Sequence, residues 1–215
     1  MARFRKADLP KTDLPKHDLP KRDLAKNERG SALLEFAITL PLLTVLVVGI
    51  YDFSDAFNQK QKIEQAAQEG AIIAGAQPMT DIAPSSSSAA SSPASLLPVV
   101  TAIFNSLAGS GIVQAANCTP PGTVAQLGNS LTWTYKIAGC NSAFPSDNLL
   151  ITINRGWVPP PASSSGTVAA VGSVVTVQYP YHWTFGNVLQ LLFTGPNSYS
   201  TATQLTESAT VHNQM

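Results

Sequence analysis

Charge is scarce in this chain once its first residues are passed. Nine of the thirteen Lys and Arg, with five acids, lie in residues 1–29, and the 186 residues that follow hold only Lys60, Lys62, Lys136 and Arg155. The formal net charge of the 215 residues is zero, which argues against a nucleic-acid partner. Cysteine is nearly as sparse. Cys118 and Cys140 are the two present, and without a third or fourth a structural zinc site is not plausible. Catalytic side chains are few as well. Beyond residue 77 there are two histidines, His182 and His212, and three acids, Asp81, Asp147 and Glu207. No HExxH, GxSxG or P-loop pattern occurs. An enzyme would need His212, Glu207 and a serine to meet in space. That arrangement stays open as the alternative: a membrane-tethered periplasmic binding or enzymatic domain.

What the chain does have is a long apolar run. Residues 31–50 are twenty residues whose only ionisable side chain is Glu35. As a helix they span about 30 Å, one hydrocarbon core. A cleaved secretory signal would have a shorter core and a nearby small-x-small site, whereas the run leads into "YDFSDAFNQKQ". Retention is therefore expected, with the basic block before it holding the amino terminus in the cytoplasm and residues 52–215 exported. Residues 7–26 repeat with a five-residue period, "ADLPK TDLPK HDLPK RDLAK". A proline in the first three units forbids a helix and the alternating charges favour solvation, so residues 1–30 read as a disordered cytoplasmic leader.

After the run, residues 52–77 keep a helical pattern. Ile63, Ala66, Ala67, Gly70, Ala71 and Ala74 share one face, with charged and amide side chains on much of the rest. A stripe of small residues admits close approach by another element, either this chain's own domain or neighbouring copies. Pro78 ends the helix, and a Ser/Pro/Ala-rich linker follows over residues 78–95. Residues 96–107 suit a short amphipathic helix. Beyond it the character turns to β. "LTWTYKI" sets Leu131, Trp133, Tyr135 and Ile137 on one face, "NLLITIN" and "SVVTVQY" are further strands, and "TQLTESATVHN" is a weaker fourth. An antiparallel sheet is favoured. "FGNVLQLLF", residues 185–193, reads as core filling, with membrane or partner contact as the other reading. In an oxidising compartment Cys118 and Cys140 most simply pair, closing a loop worth about 3 kcal/mol; two buried free thiols are the alternative.

Arg29 and Gly30 before an apolar helix, with Glu35 at the fifth position after the glycine, resemble the processing and assembly signal of type IV pilins and pseudopilins. The longer stretch "RGSALLEFAITLPLLTVLVVGIYDF" resembles the amino-terminal segment of the TadE/TadG-like family, which serves tight-adherence (Flp-type) pilus assembly. Gly30, the Glu35-Phe36-Ala37 triplet, Leu40-Pro41-Leu42, Gly49-Ile50 and the acidic–aromatic pair Asp52-Phe53 carry the likeness. The resemblance implies an α+β protein: a long transmembrane helix over residues 31–51, continued over 52–77 into a pilin-like domain with an antiparallel sheet at 96–215. It also implies cutting by a prepilin peptidase after Gly30, which makes Ser31 the new amino terminus. Glu35 would then pair with that terminus on a neighbouring subunit. Family members that keep their amino terminus act as anchored assembly factors. Partners implied are other pilin or pseudopilin subunits, the inner-membrane assembly machinery and the membrane itself, with no cofactor and no metal. The implied location is the bacterial inner membrane. Pro41, inside the spanning helix, removes one backbone hydrogen bond and is expected to kink or loosen it.

Overall fold

The computed structural model describes residues 28–82, 92–128, 130–158, 171–184 and 202–214. The five-residue repeat, residues 83–91 of the linker, the connection at 159–166 and the apolar stretch at 185–193 lie outside the described residues. Two compact units are formed, Met1–Leu43 and Thr44–Met215. A single helix, α1 (Glu28–Ala76), runs through the boundary.

α1 is built from strong helix formers. Leu is the commonest residue of its first half, beside Val and Ile, and Ala, Gln, Glu and Lys crowd its second. Pro41 lies inside it, and it stops at Ala76, just before Pro78. α1 is long and apolar enough to cross a membrane, and none of its most apolar window is buried. In the first unit the large apolar side chains, from Leu33 through Leu43, are exposed.

The second unit carries a five-stranded antiparallel sheet in sequence order: β1 (Thr123–Gln126), β2 (Thr132–Ala138), β3 (Asn148–Trp157), β4 (Gly172–Tyr181) and β5 (Thr203–His212). Alternation along the strands sorts side chains to two faces. Trp133, Tyr135, Ile137, Leu149, Ile151, Ile153, Val175, Val177 and Tyr179 are buried on the inner face. The register aligns Tyr135 with Ile151 and Ile151 with Val177. On the outer face Thr134, Thr152, Thr176 and Ser208 form a row across four strands, and the hydroxyls of Thr134 and Thr152 are 3.2 Å apart.

Two helices cover the inner face. A 3-10 turn (Ala94–Leu96) leads into α2 (Leu97–Gly109), whose Val99, Val100, Ile103, Phe104 and Leu107 join the core with Ile63, Ala66, Ala67, Ala71 and Ala74 of α1. The small-residue stripe is therefore occupied by the chain's own domain. Gly70 shows why it is small: a methyl group there would strike the Ile103 side chain of α2. At Gly75 it would come within 2.8 Å of Val211 on β5.

Side chains fasten the helix ends. Asp81 accepts a hydrogen bond from the Ser95 backbone N–H at 2.8 Å, at the entry to the 3-10 turn. Burial of the carboxylate opposes its charge, but backbone N–H donors, that of Ser95 foremost, outweigh it and hold Asp81 below its ordinary 3.8. Lys62 Nζ donates to the Ser110 carbonyl at 3.0 Å, a cation against the carboxyl end of α2. Arg155 does the same for α1. It follows Leu149, Ile151 and Ile153 on the inner face of β3, is fully buried, and donates from Nη2 to the Gln77 carbonyl at 2.7 Å. Cys118 and Cys140 are joined, with Cα atoms 5.0 Å apart, linking the segment after α2 to the end of β2.

Candidate functional site

In the first unit, Gly30, Ser31, Glu35 and Pro41 all lie on α1. The Gly30–Ser31 bond is within the helix, and Gly30, Ser31 and Glu35 are exposed. Ser31 and Glu35 are four positions apart, about one helical turn, so the two share a face. Among the described residues the ion pairs are Lys60 with Glu207 and His182 with Asp147. Neither involves Glu35. A carboxylate at the start of an apolar helix is thus left without a cationic partner among the described residues of its own chain.

The second carboxylate beside the apolar run behaves in the opposite way. Asp52, in the second unit, is only 5% exposed. Its Oδ1 accepts from the Tyr181 hydroxyl at 2.8 Å and from Thr184 Oγ1 at 2.9 Å. The Tyr181 hydroxyl also lies 3.1 Å from the Asp52 carbonyl and 3.4 Å from Asp55 Oδ2. Burial, the hydrogen bond to Asp52 and the negative charges of Asp52 and Asp55 push the Tyr181 phenol well above its ordinary 10. Phe53, the next residue, packs edge-on against Trp183 with ring centres 5.2 Å apart. The acidic–aromatic pair therefore latches α1 to the end of β4, the acid by hydrogen bonds and the ring by apolar contact.

The side chains an enzyme would need are distributed differently. Glu207 and His212 both lie on β5, five positions apart, which sends them to opposite faces. Glu207 turns to α1 and meets Lys60 Nζ at 3.2 Å; His212 is exposed. His182 pairs instead with Asp147, Nε2 to Oδ2 at 2.7 Å, and its ring stacks on Phe144 at 3.5 Å. Among the described residues no three His, Cys, Asp or Glu side chains gather as a metal site would require.

The family model described as TadE-like protein matches residues 30–71. This segment is TadE-like. No curated protein and no solved structure matches the chain.

The TadE-like segment begins at Gly30 and contains Glu35, Pro41, Asp52, Phe53 and the buried stripe from Ile63 to Ala71. It thus includes the carboxylate within the apolar run, the one just beyond it and most of the α1 surface that receives the sheet. The groups that answer Asp52 and Phe53 lie far outside it, on Tyr181, Trp183 and Thr184. Sequence reasoning singled out Asp52 and Phe53 only as part of a likeness. The signal for their role was a polar aromatic stretch, "YPYHWT", at the end of a strong strand, but nothing local says which end of the sheet meets α1. Arg155 was missed for a different reason. Its place in the inward register of β3 is visible, yet an arginine there normally argues that the strand has ended.

Proposed function

We propose that the protein is a TadE-like pseudopilin that supports assembly or anchoring of a Flp-type, tight-adherence pilus and does so without catalysis. The observation that carries this reading is the TadE-like match over residues 30–71, placed on a helix that bears Glu35 unpartnered among the described residues. α1 serves as a single-pass anchor in the bacterial inner membrane, with the leader in the cytoplasm and the sheet domain in the periplasm. Cleavage after Gly30 by a prepilin peptidase frees the amine of Ser31. A free α-amine has a reference pKa of about 8 and is largely protonated at neutral pH. Beside a carboxylate in a low-dielectric bundle it offsets the desolvation of both groups. Glu35 is the acceptor for that amine on a neighbouring pilin or pseudopilin subunit, in contact with the inner-membrane assembly machinery.

Gly30 suits the cut for a physical reason. The bond lies in helix, and a peptidase must unwind it; glycine lowers that cost by about 1 kcal/mol relative to alanine. In the oxidising periplasm the Cys118–Cys140 link would persist. The test is the intact mass of the membrane-extracted protein from cells with and without the peptidase. A product beginning at Ser31 only when the peptidase is present supports the processed route. Full-length protein under both conditions rejects processing and leaves the anchored assembly factor.

A further inference from the structure

The apolar surface of α1 does not stop where the twenty-residue run stops. Leu46, Ile50, Phe53 and Phe57 follow one another at intervals of four, three and four, which is one stripe of a helix, and all four are more than half exposed. Phe53 and Phe57 lie beyond the run, on the turns that also carry the latch. Trp183 joins them from the end of β4, against Phe53. Its indole N–H donates to Thr203 Oγ1 at 2.7 Å, so the ring can enter an apolar medium without stranding a donor. Phe144, on the β2–β3 connection at the same end of the sheet, is 40% exposed.

Of the charges nearby, Asp55 is exposed between Phe53 and Phe57, where the hydrated headgroup region accommodates a carboxylate, and its Oδ2 accepts from Gln59 Nε2 at 3.3 Å. Asp52 is screened by the Tyr181 and Thr184 hydroxyls. The first cation along α1 is Lys60, eight residues on and about 12 Å along the axis, and it is already paired with Glu207. This end of the domain has the exposed rings of Phe53 and Phe57, the half-buried ring of Trp183 and, among the described residues, no basic patch. Such rings partition into the headgroup region of a bilayer without needing anionic lipid.

We propose that the Asp52 end of the sheet domain rests on the surface of a lipid bilayer, with Phe53, Phe57 and Trp183 in its headgroup region. The proposal rests on α1 being a membrane anchor, and continuity of the exposed stripe with that helix is what selects lipid as the occupant. The test uses the full chain reconstituted in zwitterionic phosphatidylcholine bilayers, first washed with alkaline carbonate. The lipids carry bromine either near the headgroup or near the chain end, and Trp183 emission is taken as the difference between the protein and Trp183→Phe. Roughly half of that emission is expected to be lost to shallow bromine and little to deep bromine, as for an interfacial ring. A Phe57→Trp substitution in the Trp183→Phe background should show the same preference. Carbonate-resistant protein whose indole emission ignores bromine at both positions would overturn the proposal while leaving the anchor. Shielding that appears only as protein density rises would also overturn it, in favour of a second copy. Release by carbonate would remove the anchor reading itself.

Discussion

One carboxylate, Glu35, lies within the apolar run and another, Asp52, just beyond it, and the chain treats them differently. Asp52 is buried and receives two hydroxyl donors from the far end of β4. Glu35 has no ion-pair partner among the described residues. An acid at the bilayer midplane costs about 3 kcal/mol and less towards the edge, so a carboxylate retained beside hydrocarbon needs a compensating group. For Asp52 the group is internal. Hydrogen bonds to a charged acceptor contribute about 1.5–3 kcal/mol each, and Tyr181→Phe should lower stability by roughly 2 kcal/mol while Thr184 keeps hold of the acid. The same bond gives a pH signature. The phenol is held above its ordinary 10 in the folded protein, so its contribution is complete below pH 10 and is lost as the pH rises beyond it. Thermal melting in detergent should decline on the alkaline side, and Tyr181→Phe should flatten part of that decline. Burial also raises Tyr135 and Tyr179, so the flattening is partial. An unchanged alkaline profile in Tyr181→Phe would remove the phenol from the latch.

At the scale of elements, α1 and α2 meet because one residue has no side chain. Gly70 sits where Ile103 descends, and Gly70→Ala forces two helices apart or Ile103 off its rotamer, a cost of about 1–3 kcal/mol. Adding Ile103→Val should return part of that loss, measured by chemical denaturation. If the double variant is no more stable than Gly70→Ala alone, the contact is not what limits the packing. These elements were unequally legible in the sequence. β2, β3 and β4 announced themselves by alternating β-branched and aromatic residues. β5 was the weakest strand signal, since Leu205, Glu207, Ala209 and Val211 make a poor apolar face, yet it pairs with β4 over ten consecutive positions. Its regularity comes from its neighbour. β1 is four residues between Gly122 and Gly128, too short for any period to show. The hydrogen bonds of Asp81 before α2 and of Arg155 at the end of α1 depend on contacts across the fold, which local pattern does not encode.

For the whole molecule, one helix serves two surroundings. Its second half is covered by a sheet and a short helix, which occupy the small-residue stripe. Its first half keeps large apolar side chains and Glu35 exposed. Small residues at that spacing point first to the chain's own domain and second to neighbouring copies, and the sheet and α2 fill the stripe. The candidate site residues Gly30, Ser31, Glu35 and Pro41 lie on the earlier part of α1, away from the buried stripe. Those four were legible because they belong to a short linear signal; the latch was not, because Asp52 and Tyr181 are 129 residues apart. The decisive measurement is piliation of cells carrying Glu35→Ala, read beside the amount of the protein in carbonate-washed membranes. Membrane-bound protein at the normal level with surface pili reduced several-fold is the expected result. Normal piliation with normal membrane insertion would contradict the role assigned to Glu35, and with it the reading of α1 as an assembly helix.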